Sequence, residues 1–352
     1  VGDSLSFYAE QQFNELNYET ATNPENISRY IRQAGLKTGT VSPATVNVRF
    51  FIEVDIDENL ENNQPKKSNL PVIKKGTTLA AEGADFIFTL AEDVDFSSNY
   101  LKEVLEEDEN GNPLTLALSK EGLCISGEIV TETVSFDDIE GFLSYTIENK
   151  DVTKIIRVVD EDLNEYFEVD YLSQDTVYKK VEFSNDNYFE ITPAPFRYIK
   201  EVDILDGSTT LRFGNGEGKF LKDNFLTNPE DLLLPLKDSN YSSRIGLDPN
   251  KLLKSDTLGV SPRGKKITIT YRFGGSISHN VGIGRINSIQ DIVITFPNAS
   301  ESDNVDVDRI MFSLSARNEE NAIGGTPGLT LNELKSQIPN AMNSQSRIIT
   351  HQ

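Results

Sequence analysis

The sequence predicts an α+β fold with N-terminal helices, a β-rich middle of several mostly antiparallel sheets, and a short helical segment near the C-terminus. Three observations predict it. Apolar residues recur at helical spacing before residue 35, period-two runs dominate from Val46 to Phe273, and a helix start signal returns at Thr330.

Taken in order, Leu5, Tyr8, Phe13 and Leu16 form a loose helical stripe through DSLSFYAEQQFNELNYETA. A second helix has a clearer start: Thr22 or Asn23 can cap it, and Pro24 suits the first helical position. Ile27, Tyr30, Ile31 and Ala34 follow at i, i+3, i+4, i+7, and Gly35 is a natural stop. Both stripes need a partner to bury them, either the rest of the chain or another subunit. Val46, Val48, Phe50, Ile52, Val54 and Ile56 then share one face of a long strand. The polar stretch from Asp57 to about Pro71 is expected to be a linker, and Leu105 to Pro113 an acidic turn. Between them, VIKKGTTLAAEGADFIFTLAEDVDF reads as strand, glycine turn, strand.

From about Gly127 to Phe213 the pattern is almost all β, in VTKIIRVVD, EYFEVDYL, VYKKVEF and RYIKEVDIL. Asp206-Gly207 predicts a type I′ hairpin. Ile267, Ile269, Tyr271 and Phe273 then alternate with Lys266, Thr268, Thr270 and Arg272, predicting a half-buried strand with the second set on its wet side. Thr330 to Glu333 forms a capping box, and Leu331, Leu334, Ile338 and Met342 continue its helix. The division expected is a helical segment 1–45, a first β-rich domain 46–145, an inserted β domain 146–210, and a β domain with a C-terminal helix at 211–352. The chain starts at Val1 inside a helical pattern and ends just after a helix N-cap, so it is expected to be an internal piece of a larger protein.

Length allows about two or three domains. With 33 basic and 56 acidic residues the formal charge is −23, which excludes binding nucleic acid through its phosphates. It fits solvated acidic faces, or acidic faces that meet basic partner surfaces. The single cysteine, Cys124, lies in an apolar strand-like run and excludes an internal disulfide framework. Two histidines, His279 and His351, leave zinc almost no ligands and a Ser-His-Asp triad no basis. No apolar run reaches transmembrane length, so membrane insertion is not expected.

Motifs that could carry chemistry fail on spacing. Gly214-Asn-Gly216-Glu-Gly218 is neither GxGxxG nor a Walker loop, so its glycines are read as turning the backbone where a side chain would clash, and Gly216→Val should impair folding if that position needs positive φ. Asp160-Glu-Asp162-Leu-Asn164 would need Gly and Glu where Glu165 and Tyr171 stand, and so is not an EF-hand. Asp303, Asp306 and Asp308 have no ligand spacing. Asp137, Asp138 and Glu140 are the densest acidic cluster beside apolar residues, but the chain has no tryptophan to form a sugar platform. The sequons at Asn26, Asn240 and Asn298 mean nothing without secretion. The reading is a non-enzyme without cofactor or metal. Gly214, Gly216, Gly218, Gly274, Gly275, Gly324, Gly325 and Arg347 are its structural or assembly candidates.

FGNGEG, an alternating strand ending in YRFGG, and HNVGIGRI together resemble the core signature of the baseplate J-like family. DSLSFYAEQQFNELNYETATNPENISRYIRQAG is similar to the N-terminal helical segment of its myophage members, and VIKKGTTLAAEGADFIFTLAEDV to the family's Gly-Thr turn, with Lys74 or Lys75 at a frequent proline. ARNEENAIGGTPGLTLNELKSQIPNAMNSQSRIITHQ resembles the closing block, with Ala322, Gly324, Gly325, Glu333, Pro339, Arg347 and Thr350 on matching positions. Asn318-Glu319 stands where many members have Asn-Pro. The strand insertion from Asp151 to Ile191 fits the longer myophage forms. The resemblance implies a virion protein, assembled in the host cytoplasm, that forms a ring in a contractile tail baseplate. Its implied partners are other copies, other baseplate wedge proteins and proteins near the tail tube and sheath, with neighbours exchanged on sheath contraction. The alternative is a tail-associated glycan-binding or glycan-hydrolysing protein.

Overall fold

The computed structural model describes residues 2–36, 39–57, 64–107, 113–137, 141–183, 186–216, 258–299 and 307–344. Its helices are α1 (Gly2–Glu15), α2 (Pro24–Gln33), α3 (Val307–Ser313) and α4 (Leu331–Ser344). The strands are β1 (Thr45–Asp55), β2 (Val72–Ile73), β3 (Thr78–Ala81), β4 (Ile87–Leu90), β5 (Val94–Asp95), β6 (Leu101–Glu107) and β7 (Pro113–Ser126). They continue with β8 (Glu128–Ser135), β9 (Ser144–Thr146), β10 (Val152–Asp160), β11 (Phe167–Glu168), β12 (Thr176–Phe183) and β13 (Asp186–Pro193). The last are β14 (Arg197–Val202), β15 (Thr209–Phe213), β16 (Lys266–Phe273), β17 (Ile286–Asp291), β18 (Ile294–Thr295) and β19 (Ser315–Asn318). The chain is α+β and its sheets are mostly antiparallel, as its patterning predicts.

The four consecutive segments expected from the sequence are instead interleaved into two compact units. One comprises Val1–Thr40, Val130–Arg272 and Leu329–Gln352; the other comprises Val41–Ile129 and Phe273–Gly328. Pairing between remote strands is the cause: β19 joins β1, and β17 joins β3.

The unit of Val41–Ile129 and Phe273–Gly328 is built on a sheet of order β17-β3-β4-β7-β1-β19, with β6 added beside β7. The period-two face of β1 is its core: Val46, Val48, Phe50, Ile52 and Val54 are all buried, among Leu79, Phe88, Leu90, Leu116, Leu118 and Cys124. Burying each large apolar side chain contributes about 1.5–3 kcal/mol. The stretch expected as a linker is not one where it is described. Ile56 bridges Pro65, Lys66 donates to the Asp55 carbonyl at 3.0 Å, and Ser68, Asn69 and Leu70 are buried.

The other unit holds sheets of order β10-β16-β8 and β11-β14-β15-β9, and the separate hairpin β12-β13. Phe136, Tyr166 and Tyr198 surround Phe213 at 5.7, 5.5 and 6.1 Å between ring centroids. In β16, Ile267, Ile269 and Tyr271 are buried as predicted, but Arg272 is buried too and Phe273 only half-buried. The alternation therefore ends one residue early. Asp206-Gly207 does connect two antiparallel strands, β14 and β15. The turn is not type I′, because only Gly207 has positive φ, at 74°. α2 starts and stops as predicted, with the Asn23 side chain accepting from Glu25 N–H and Gly35 at φ 74°. Ile27 and Ile31 pack with Leu334 and Ile338 of α4. The capping box of α4 closes both ways: Glu333 accepts from Thr330 N–H at 2.8 Å, and the Thr330 hydroxyl accepts from Glu333 N–H at 3.4 Å.

Candidate functional site

The glycines singled out by sequence gather at two corners, one in each unit. In the unit of Val130–Arg272, Gly214 carries the closest backbone approach. A Cβ there would fall inside the van der Waals radius of the Gly259 and Leu258 carbonyls. The Gly214 carbonyl accepts from Phe142 N–H at 2.9 Å, Gly216 N–H donates to the Gly259 carbonyl at 2.8 Å, and Ser261 N–H donates to the Gly216 carbonyl at 2.9 Å. Arg263 Nη2 donates to the Asn215 side-chain oxygen at 3.0 Å. Neither Gly214 nor Gly216 is among the described glycines with positive φ, so the condition set for Gly216 is not met, while the side-chain clash expected of this loop is seen at Gly214. Close packing of two loops, and not left-handed geometry, selects glycine here. Gly218 and Arg347 lie outside the described residues.

The second corner brings together Gly274, Gly275, Gly324 and Gly325, which are about fifty residues apart in sequence, around Ser42 and Pro43. Gly274 and Gly324 have φ of 86° and 95°. A Cβ on Gly275 would lie 2.7 Å from the Ser42 carbonyl oxygen, and one on Gly325 would overlap the Ser276 carbonyl. The Asn280 side chain locks the corner, accepting from Gly325 N–H and donating to the Gly325 carbonyl, each at 2.8 Å. Beside it, His279 stacks on Phe86 with centroids 3.8 Å apart and an interplanar angle of 8°. Its Nδ1 is buried with no hydrogen-bond partner among the described residues, and burial lowers its pKa.

The acidic turn at Asp160 is a structural corner as well. Asp160 Oδ1 accepts from Asp162 N–H and Asn164 N–H at 3.0 and 2.8 Å, and Oδ2 from Asn164 Nδ2 and Lys265 Nζ at 2.9 and 3.1 Å. Burial alone would raise its pKa; the bonds from Asn164 and Lys265 outweigh that and hold the carboxyl below its usual range. Both oxygens are thus committed within the protein. No group of three or more His, Cys, Asp or Glu among the described residues could hold a metal ion. Asp137 is exposed and Asp308 sits in the first turn of α3, while Asp138, Glu140, Asp303 and Asp306 lie outside the described residues. Among the described residues no helix is long and apolar enough to cross a membrane.

Away from these corners, α1 and the residue after it carry large apolar side chains in water. Phe7, Tyr8, Phe13 and Leu16 are 65, 64, 72 and 73% exposed. The helix is nevertheless tied down at its C-terminal end. Glu15 Oε1 accepts from Thr22 N–H and Oε2 from Asn26 Nδ2, both at 2.9 Å, and the Glu15 carbonyl accepts from the Tyr30 hydroxyl at 2.8 Å. The Asn26 bond and those from Thr22 lower the Glu15 pKa to about 2. Sequence reasoning missed this joint, although a glutamate shortly before the Thr22-Asn23 cap was a visible signal. Neither a scan against protein-family models nor a search of curated proteins returns a match for this chain. Site geometry and the sequence motifs therefore carry the functional reading.

Proposed function

We propose that this chain is a structural subunit of a contractile-tail baseplate, acting by association with other wedge proteins and with copies of itself, without catalysis or cofactor. The observation that carries the reading is α1, a helix held at one end by Glu15 whose Phe7, Tyr8 and Phe13, with Leu16 just beyond it, stand in water. Leaving so many large apolar side chains in water is unfavourable unless a partner covers them. Residues 1–28 contain no lysine or arginine but include Asp3, Glu10, Glu15, Glu19 and Glu25, so a covering surface would be apolar with a basic rim. The close-packed, hydrogen-bonded glycine corners support the same reading, since they offer scaffold and no reactive group. The resemblance to baseplate J-like proteins supplies the assembly.

The test is co-expression of this chain with the other wedge proteins of the same tail, followed by co-purification. Wild type should elute in a complex. A variant carrying Phe7→Ser and Phe13→Ser should be folded and excluded from it. Retention of that variant in the complex would reject the role of α1.

A further inference from the structure

Two elements of the unit that holds Val1–Thr40 and Val130–Arg272 carry apolar surface that the chain does not cover. One is α1, whose residues 6–14 are all exposed. The other is the β12–β13 hairpin, which pairs with no third strand among the described residues. The hairpin is closed at its base, where Ala194 N–H donates to the Asp175 carbonyl at 2.7 Å. A helix of 14 residues and a lone two-stranded hairpin are each marginal in water without something to pack on.

Their side chains match. Phe7, Glu10 and Phe13 recur every third residue of α1 and share one side of it, an acid between two aromatics about 9 Å apart along the axis. On the hairpin, Tyr178 and Lys180 lie two apart on β12, with Ile191 opposite Tyr178 and Phe189 opposite Lys180 on β13. Residues two apart on a strand, and residues directly opposite across a pair, project to the same face. That face therefore sets a base among three large apolar side chains, with Tyr178, Phe189 and Ile191 72, 70 and 61% exposed.

Charge decides between the ways these surfaces can meet. Packing α1 on α1 brings acid to acid, since residues 1–28 contain no lysine or arginine, and packing the two hairpin faces brings Lys180 to Lys180. Packing helix on hairpin brings acid to base and aromatic to aromatic.

We propose that a second copy of this chain covers α1: the side bearing Phe7, Glu10 and Phe13 in one copy lies on the hairpin face of Tyr178, Lys180, Phe189 and Ile191 in the next, with Glu10 paired to Lys180. The inference names the partner in the assembly reading above and rests on that reading. Each copy offers one helix and one hairpin, so the contact is heterologous. It repeats from copy to copy and makes a ring where its rotation closes.

The experiment weighs the purified full chain by light scattering, alone and in mixtures of variants, with thermal unfolding to show that each variant is folded. Wild type should associate beyond a dimer. Lys180→Glu and Glu10→Lys should each weaken association roughly tenfold or more. Mixed, the two should associate as wild type does, because the mixture holds both the original and the exchanged ion pair. The variant Phe7→Ser, Phe13→Ser and the variant Tyr178→Ser, Phe189→Ser should each be monomeric. Mixed, they should form a heterodimer and nothing larger, since one intact helix and one intact hairpin remain between them. Association that survives the hairpin variants, or mixtures that stay monomeric, would overturn the proposal. A wild-type chain that is monomeric alone yet enters the wedge complex through α1 would overturn it and leave the assembly reading standing; a chain that does neither would reject both. If Tyr178→Ser, Phe189→Ser does not fold, the charge exchange decides.

Discussion

Asn318 joins the two ends of its sheet by bonding to Ile286: its Oδ1 accepts from Ile286 N–H at 2.9 Å, although β17 and β19 are at opposite ends of the strand order. The same fully buried side chain donates from Nδ2 to the carbonyls of Gly282 and Glu320 at 3.0 and 2.7 Å, and its own carbonyl accepts from Gly284 N–H at 2.9 Å. One amide thereby satisfies three backbone groups that no strand neighbour reaches.

Asn318→Leu should therefore cost about 2–4 kcal/mol, since it strands a buried N–H and leaves two carbonyls short of a donor. Denaturant unfolding measures this. A change below about 0.5 kcal/mol would mean the carbonyls have other donors.

The two corners separate two uses of glycine. Gly214→Ala and Gly325→Ala should each destabilise by about 1–3 kcal/mol, because the new Cβ overlaps backbone that cannot move aside. Gly264→Ala, at φ 64° with open space around its Cβ position, should cost about 1 kcal/mol through φ alone. Equal, negligible losses at all three would remove the close-packing argument.

Much of this was legible in the sequence. The buried face of β1, both boundaries of α2 and the capping box of α4 follow from local patterning, because their causes are short-range: alternation, a cap, a proline, a glycine. Asn318 was visible only as a departure from an Asn-Pro pair, and its role depends on strands that meet only after folding. The same holds for Arg272, buried where alternation predicts a wet position. The corner of Gly274, Gly275, Gly324 and Gly325 was legible as residues but not as a single place.

His279 gives the fold a pH dependence. Burial against Phe86 depresses its folded pKa, so its stabilising contribution is complete above the unfolded value and is lost as pH falls through the folded one. His279→Phe should flatten the loss of stability below about pH 6.5. An unchanged acid limb in the variant would place the titrating group elsewhere.

Glu15 titrates with the same sign at lower pH. Its carboxylate supports the α1–α2 joint above the ordinary glutamate pKa and loses that role as pH falls toward about 2. Glu15→Gln should weaken amide protection at Thr22 and Asn23 at neutral pH. Protection equal to wild type would show that the Tyr30 bond alone holds the joint.

The most direct measurement of the central claim is the mass of the species formed when the full chain is co-expressed with its partner wedge proteins, read by light scattering on the eluted peak. The account predicts a stable hetero-complex that is lost in the Phe7→Ser, Phe13→Ser variant while the variant's melting temperature is retained. A chain that stays monomeric beside every one of those partners would contradict it.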